Sequence, residues 1–467
     1  MKPAVTISFI LGPIISAALT LLTLPVIAWI FVPEDVGRFA ILQTLLGLSV
    51  TFFSLALHQA YVRHFSEWVD TVSVDFNSRG PSAIVFCLFI LFSLPFSGYF
   101  SELLFDYDSK AIAFFLYAMI LMQIISNSLM YVLRMSEKGF QYALIEVSSK
   151  LAFIIIVVFL CYYFNNRSFE YLLIALSASL AISFIISILT NREIFKQFYK
   201  NKLYISRIKV LLKFSIPLLL SSVVFISISA SERLIIKSLI GFEELAVYAV
   251  STSLAASINV LTTIVISLWH PKIYSIKENT DAVKNIKYTS ESVFFVVIVL
   301  WFFVYCVSPF LALFLPSRYV DVQYLIVLVV GMPLFYLIAE ITGIGIVLSK
   351  RTVFSIFSSL VSFLMLLIFN SILIPFIGIL GAAVSSLISF FIYFIIRTEI
   401  SSRIWIPINR VKLYLFSFTL VLLVLLSSYF SNDSSYVYVA WVLFILVAFF
   451  SFKESLVFNF NELINRW

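Results

Sequence analysis

Long apolar runs, separated by short polar stretches, fill the chain from end to end. Runs of membrane-crossing length lie at about Val5–Phe31, Phe39–Leu57, Ser82–Phe100, Ala111–Leu133, Gly139–Phe164, Tyr171–Asn191, Phe214–Ser231, Leu245–Trp269, Ser292–Pro316 and Val322–Leu348. A spanning helix needs about 20 such residues. From Thr352 to Ile396 no residue carries a formal charge. That stretch is too long for one helix, and Asn370, Pro375, Gly378 and Gly381 in "NSILIPFIGILGAA" divide it in two. Leu413–Phe430 and Tyr436–Phe452 complete a predicted set of fourteen helices. The runs are continuous where the strands of a membrane barrel would alternate, so a β-barrel is excluded.

Composition agrees with this pattern. Of 467 residues, 62% are hydrophobic and only 12% charged, against about 45–50% and 25% in soluble domains. The net charge of +7 does not imply nucleic acid, because the basic residues sit in short loops and form no continuous face. Cys87, Cys161 and Cys306 lie singly in apolar runs, as packing residues do, which argues against a disulfide framework or a metal site. The first run is too long for a signal-peptide core of about 7–15 residues.

Loop charges set an orientation. With the N-terminus in the cytosol and the sides alternating, the cytosolic segments hold most of the 31 lysines and arginines, as the positive-inside rule requires. The loop between spans six and seven alone carries Arg192, Lys196, Lys200, Lys202, Arg207, Lys209 and Lys213. Both termini are therefore expected in the cytosol.

An internal repeat is visible at an offset of 209 residues. "PEDVGRFA" from Pro33 opens the second span and "FEELAVYA" from Phe242 opens the eighth. The same offset carries Arg63 onto Lys272. A repeat in one orientation predicts two six-helix bundles, with substrate bound in a central cleft between them. The expected organisation is an N-terminal lobe at 1–191, a basic linker at 192–213, a C-terminal lobe at 214–397, and two additional helices with a tail at 398–467. The linker interleaves basic and bulky apolar residues, as a helix lying on an anionic leaflet does.

Three stretches in order, "PEDVGRFAIL", "LLKFSIPLLLSSVV…SERLIIKSLIGFEELAVYAV" and "GILGAAVSSLISFFIYFI", give the chain a family likeness. It resembles the polysaccharide-export flippases, O-antigen (Wzx) type, of the multidrug/oligosaccharidyl-lipid/polysaccharide transporter superfamily. In that family the seventh span commonly ends in Asp-Arg, and here it ends in Glu232-Arg233. The resemblance implies transport rather than enzyme chemistry in a bacterial cytoplasmic membrane. The implied cargo is an oligosaccharide on undecaprenyl pyrophosphate, carried from the inner to the outer leaflet. It further implies membrane lipids and glycan polymerases or ligases as partners, and no cofactor.

Several charged residues are placed to serve such a cycle. Arg63 and Lys272 fall at the cytosolic mouth on opposite lobes, where two cations can receive a pyrophosphate; ordinary loop anchoring explains them equally. Glu232, Arg233 and Lys237 end the seventh span near the outer mouth, with Arg233 and Lys237 on one helix face. They serve either to hold the head group or to close an outer gate, unless they are snorkelled helix-end residues. Glu146 and Lys150 lie four apart within the fifth span, as a neutralising pair or as a cleft cation with its counterion. Glu340 is a carboxylate within an apolar span, a candidate for ion coupling or for a hydrogen bond to a neighbouring helix. His58, His64 and His270 do not form a metal motif, and no Walker A loop, nucleophile elbow or HExxH occurs.

Two other transporter readings stay open: a drug or cation antiporter, and a flippase for the lipid-linked peptidoglycan precursor. The in-span cations favour an anionic cargo over a cationic one. A glycan polymerase or ligase would need a large outer loop, and the longest predicted here has about ten residues.

Overall fold

The computed structural model describes residues 3–65, 71–164, 167–192, 204–275, 280–349, 351, 353–405, 410–429 and 435–464. Half of the basic linker expected at 192–213, residues 193–203, lies outside the described residues, and from Ile205 onward the segment is already part of the seventh span's helix. The protein is all-helical. Among the described residues, fourteen helices are long and apolar enough to cross a membrane. They are Leu11–Ile30, Pro33–Phe53, Gly80–Phe105, Lys110–Met135, Gly139–Phe164, Phe169–Thr190 and Ile205–Ile240, then Phe242–Ile266, Lys284–Leu313, Ser317–Thr342, Val353–Ile377, Ile379–Ile404, Val411–Tyr429 and Ser435–Asn459.

The chain divides into two compact units, Met1–Leu234 and Ile235–Trp467. The division falls inside the seventh span. Most of that long helix packs with the first unit, and the last two spans belong to the second.

In the first unit the second span starts where the sequence places a helix start. Val32 is extended, Pro33 occupies the first helical turn, and Glu34 and Asp35 follow it. Proline lacks an N–H that would go unused there, and carboxylates favour the positive end of the helix dipole. The span stops at Phe53 because Leu55 and Ala56 both take left-handed backbone angles, φ +51° and +50°. A short helix, Leu57–His64, then departs in a new direction. The first and fifth spans approach closely at Gly12, where a Cβ atom would come within 2.6 Å of Ala143 Cβ. Small residues at such crossings are what lets membrane helices pack without a hydrophobic drive between them.

In the second unit the tenth span forms the core, with 89% of its apolar stretch buried. Trp301 of the ninth span donates its indole N–H to Val327 O at 2.7 Å. The uncharged stretch 352–396 breaks at Gly378, φ +59°, between Ile377 and Ile379. The last two spans dock on the ninth. Trp441 stacks on Tyr305 and donates to Ser427 Oγ at 2.9 Å, while Asn459 donates to Tyr288 O and Ser292 Oγ.

Pro33 and Phe242, matched by the 209-residue offset, both open spans that carry acidic residues in their first turn. Outward-facing residues such as Leu91, Phe92 and Tyr162 are large and apolar or aromatic, as a lipid-facing surface requires.

Candidate functional site

Each unit buries charge inside its helices, and each solves the problem differently. In the first unit the second span carries an ion pair. Arg38 Nη1 donates to Asp35 Oδ1 at 2.7 Å, its Nε donates to Phe105 O at 3.0 Å, and the guanidinium lies over the Tyr107 ring. Two turns on, the same span receives Arg233. Its Nη1 donates to Ala40 O at 2.8 Å and to Thr44 Oγ1 at 2.6 Å. Arg233 thus joins the seventh span to the second, and the adjacent Glu232 is buried. Lys237, one turn further, places its ammonium over the Phe242 ring.

Glu146 and Lys150 share a face of the fifth span. Ser16 of the first span lies against the Glu146 carboxylate, and Lys150 is its charge partner. Among the described residues the Lys150 ammonium has no hydrogen-bonding partner. A cation within a membrane span pairs with another charge, as with Glu146 here, or faces water or a ligand. One turn beyond it, Phe153 stacks on Phe39 of the second span at 5.2 Å.

The first unit also contains a partly open cavity of about 600 Å3. The second, third, fourth, fifth and seventh spans contribute to its wall, through residues such as Val50, Phe86, Asn127, Tyr142 and Ser222. The left-handed turn at Leu55–Ala56 delivers His58 to this wall, where its ring stacks on Tyr131 at 4.6 Å. Burial pushes the His58 imidazole down to about 4, so it is neutral at neutral pH.

In the second unit Glu340 accepts a hydrogen bond from Arg397 Nη2 at 2.9 Å, with both side chains almost fully buried. Arg397 also donates to the Tyr393 hydroxyl, and Tyr336 stacks on Tyr393. Thr342 and Thr398 share a hydrogen bond at 2.6 Å, and Gly345 N donates to Ser401 Oγ at 3.1 Å. The tenth and twelfth spans are therefore joined by a polar seam.

Arg397 follows the uncharged stretch that ends at Ile396 and was not among the expected site residues. The twelfth helix continues to Ile404, and the Glu340 carboxylate lets the guanidinium stay inside the span. Reading for apolar runs cannot find a cation whose burial is made tolerable by a partner on another helix. Arg38, just before the apolar run expected at Phe39–Leu57, lies inside the helix Pro33–Phe53 beside Asp35. The sequence reading did not single out His58, Tyr131 and Tyr142 as cavity residues, because no charge marks them.

Of the cations expected at the cytosolic mouth, Arg63 is exposed in the last turn of the short helix Leu57–His64. Lys272 lies in the helix Ile258–Ser275, with its side chain outside the described residues. Among the described residues no three His, Cys, Asp or Glu side chains converge to hold a metal ion.

Fourteen membrane-length helices among the described residues, in two compact units, define a multi-pass membrane protein. The profile of the polysaccharide biosynthesis protein family matches residues 4–277, and the chain belongs to that family. Among solved structures it is similar to "Lipid II flippase MurJ, inward closed conformation", with a TM-score of 0.69 at 17% identity over 98% of this chain and 100% of that one. It is also similar to the inward-facing conformation of a multidrug-resistance MATE family transporter of the MOP superfamily, with a TM-score of 0.64 at 14% identity over 82% of this chain and 94% of that one. These likenesses establish the fold. The sequence matches none of the curated proteins compared with it.

Proposed function

We propose that the protein is a flippase that carries an oligosaccharide linked to undecaprenyl pyrophosphate from the cytosolic to the outer leaflet of a bacterial cytoplasmic membrane. The observation that carries this reading is membership of the polysaccharide biosynthesis family across residues 4–277. A pyrophosphate-sugar head group cannot cross about 30 Å of hydrocarbon unaided. Alternating access moves the head through the protein while the isoprenoid tail stays in lipid. No bond is made or broken in this cycle.

The charged residues divide between two tasks. Arg63 and Lys272 receive the pyrophosphate at the cytosolic mouth. Lys150, with no hydrogen-bonding partner among the described residues, meets it at mid-membrane, and Arg233 and Lys237 hold it near the outer side. Glu146, Glu232 and Glu340 serve gating or ion coupling. At Glu340 a proton or sodium ion would compete with Arg397 for the carboxylate, so ion binding would loosen the seam between the tenth and twelfth spans. Both termini lie in the cytosol in this reading, and the polymerase or ligase that consumes the cargo acts on the far side.

The test is a deletion strain. Accumulation of undecaprenyl-pyrophosphate oligosaccharide on the inner face, loss of a surface polysaccharide, and restoration of both by the wild-type gene are the expected result. Unchanged glycans with drug hypersensitivity would replace the reading with a drug antiporter. Accumulation of the peptidoglycan precursor would select a second reading, which draws on the similarity to MurJ along the whole chain.

A further inference from the structure

The cavity of the first unit differs from every charged cluster described above. At about 600 Å3 it falls within the about 300–1,000 Å3 of small-molecule sites. Among the described residues that line it, none carries a formal charge at neutral pH: the titratable ones are His58, Tyr61, Tyr131 and Tyr142, and His58 is held neutral by burial. The wall presents a flat aromatic platform, the His58–Tyr131 stack, with an interplanar angle of 22°.

Polar groups stand around that platform. The Ser82 hydroxyl donates to Ser54 O and the Ser128 hydroxyl to Ile125 O. The Asn127 amide, the Ser222 and Tyr131 hydroxyls and the His58 ring nitrogens have no hydrogen-bonding partner among the described residues.

Three ligand chemistries fit this wall poorly. A phosphate or pyrophosphate calls for Arg or Lys. A cationic drug calls for a carboxylate. An isoprenoid chain would leave several polar groups without partners, at about 1–3 kcal/mol each. A sugar ring suits it, with an apolar C–H face to lie on an aromatic surface and hydroxyls to pair with an amide, two hydroxyls and an imidazole.

We propose that the cavity between the His58–Tyr131 stack, Asn127 and Ser222 is a binding site for an uncharged sugar residue. The proposal rests on the flippase reading for the source of that sugar, the glycan of the carrier lipid. The cargo is then recognised in two chemically separate places. Cations elsewhere read the invariant pyrophosphate, and this cavity reads the variable glycan. The site makes the first unit the specificity-determining half of the protein.

The experiment is saturation-transfer NMR on the purified full-length chain in detergent. The probes are methyl α-D-glucopyranoside, methyl α-D-galactopyranoside and N-acetylglucosamine, with inorganic pyrophosphate and geranyl phosphate as anionic and isoprenoid controls. At least one sugar should give a signal that falls about fivefold in Asn127→Leu and in Ser222→Leu, the loss of one hydrogen bond, with pyrophosphate binding unchanged. Tyr131→Phe, which keeps the stack and removes only the hydroxyl, is the variant least able to disturb folding and should also weaken the signal. The absence of a sugar signal from the wild type, or a signal indifferent to all three variants, would overturn the proposal. So would geranyl phosphate binding that the same variants abolish. A sugar signal of the expected dependence in a protein whose deletion accumulates no lipid-linked glycan would remove the flippase reading and leave the cavity assignment standing. Accumulation without the sugar signal would remove the cavity assignment alone.

Discussion

Glu340 and Arg397 face each other across two helices of the second unit, 2.9 Å apart and almost wholly out of contact with solvent. Neither charge is tolerable there alone. Taking an ion from water into a low-dielectric interior costs several kcal/mol, and a partner at contact distance offsets much of it.

Removing both partners should therefore cost distinctly less than the sum of removing each alone. Glu340→Gln and Arg397→Met are each expected to cost about 3–5 kcal/mol. Thermal unfolding in detergent measures the cycle. Additive costs would mean that the pair is not coupled.

Arg233 donates to a carbonyl and a hydroxyl of the second span. Charge-assisted bonds of this kind contribute about 1.5–3 kcal/mol. Arg233→Ala should lower stability by roughly that amount and reduce surface polysaccharide. Thr44→Val removes one acceptor and should lose less on both measures. Normal export by Arg233→Ala would remove Arg233 from the transport cycle.

Lys150 separates a structural role from a functional one. If the ammonium serves only to neutralise Glu146, Lys150→Met should cost stability and Lys150→Met/Glu146→Gln should restore export. If it meets the cargo, as proposed above, both variants should lose export several-fold while the double variant keeps the wild-type melting temperature. Quantified surface polysaccharide, normalised to protein in the membrane, decides between them.

His58 predicts a pH dependence with a definite sign. Its folded-state value, about 4, lies below the about 6.5 of an unperturbed imidazole. The unfolded chain therefore takes up the proton first, and folded stability falls as pH drops from about 6.5 towards 4. Above about 6.5 the residue contributes no pH dependence. Melting temperatures at pH 7 and pH 5 should differ more for the wild type than for His58→Gln. Equal differences would show that the imidazole is not held neutral by its surroundings.

Much of the fold was legible in the one-dimensional pattern. The paired starts at Pro33 and Phe242, the break at Gly378 and the fourteen spans all follow from apolar length, helix-start chemistry and a glycine in the left-handed region. The candidate site was legible only where a charge interrupts an apolar run, as at Glu146, Lys150, Glu232, Arg233 and Glu340. Glu146 and Lys150 were legible as a pair, but the partners of Arg233 and Glu340 on other helices were not. Nor was the cavity at His58, whose lining residues are ordinary Ser, Asn and Tyr.

The division has a physical reason. Partition of a helix into lipid depends on its own length and composition, so the sequence alone determined how many times the chain crosses and which ends carry the basic loops. A buried polar group instead depends on what the neighbouring helix presents to it. Arg397 meets Glu340 across 57 residues and Arg233 meets Thr44 across 189. Only packing decides which of many possible faces meet. Tertiary structure therefore gave Glu340 and Arg233 their partners on other helices and, among the described residues, left an uncharged cavity with hydrogen-bonding groups facing it.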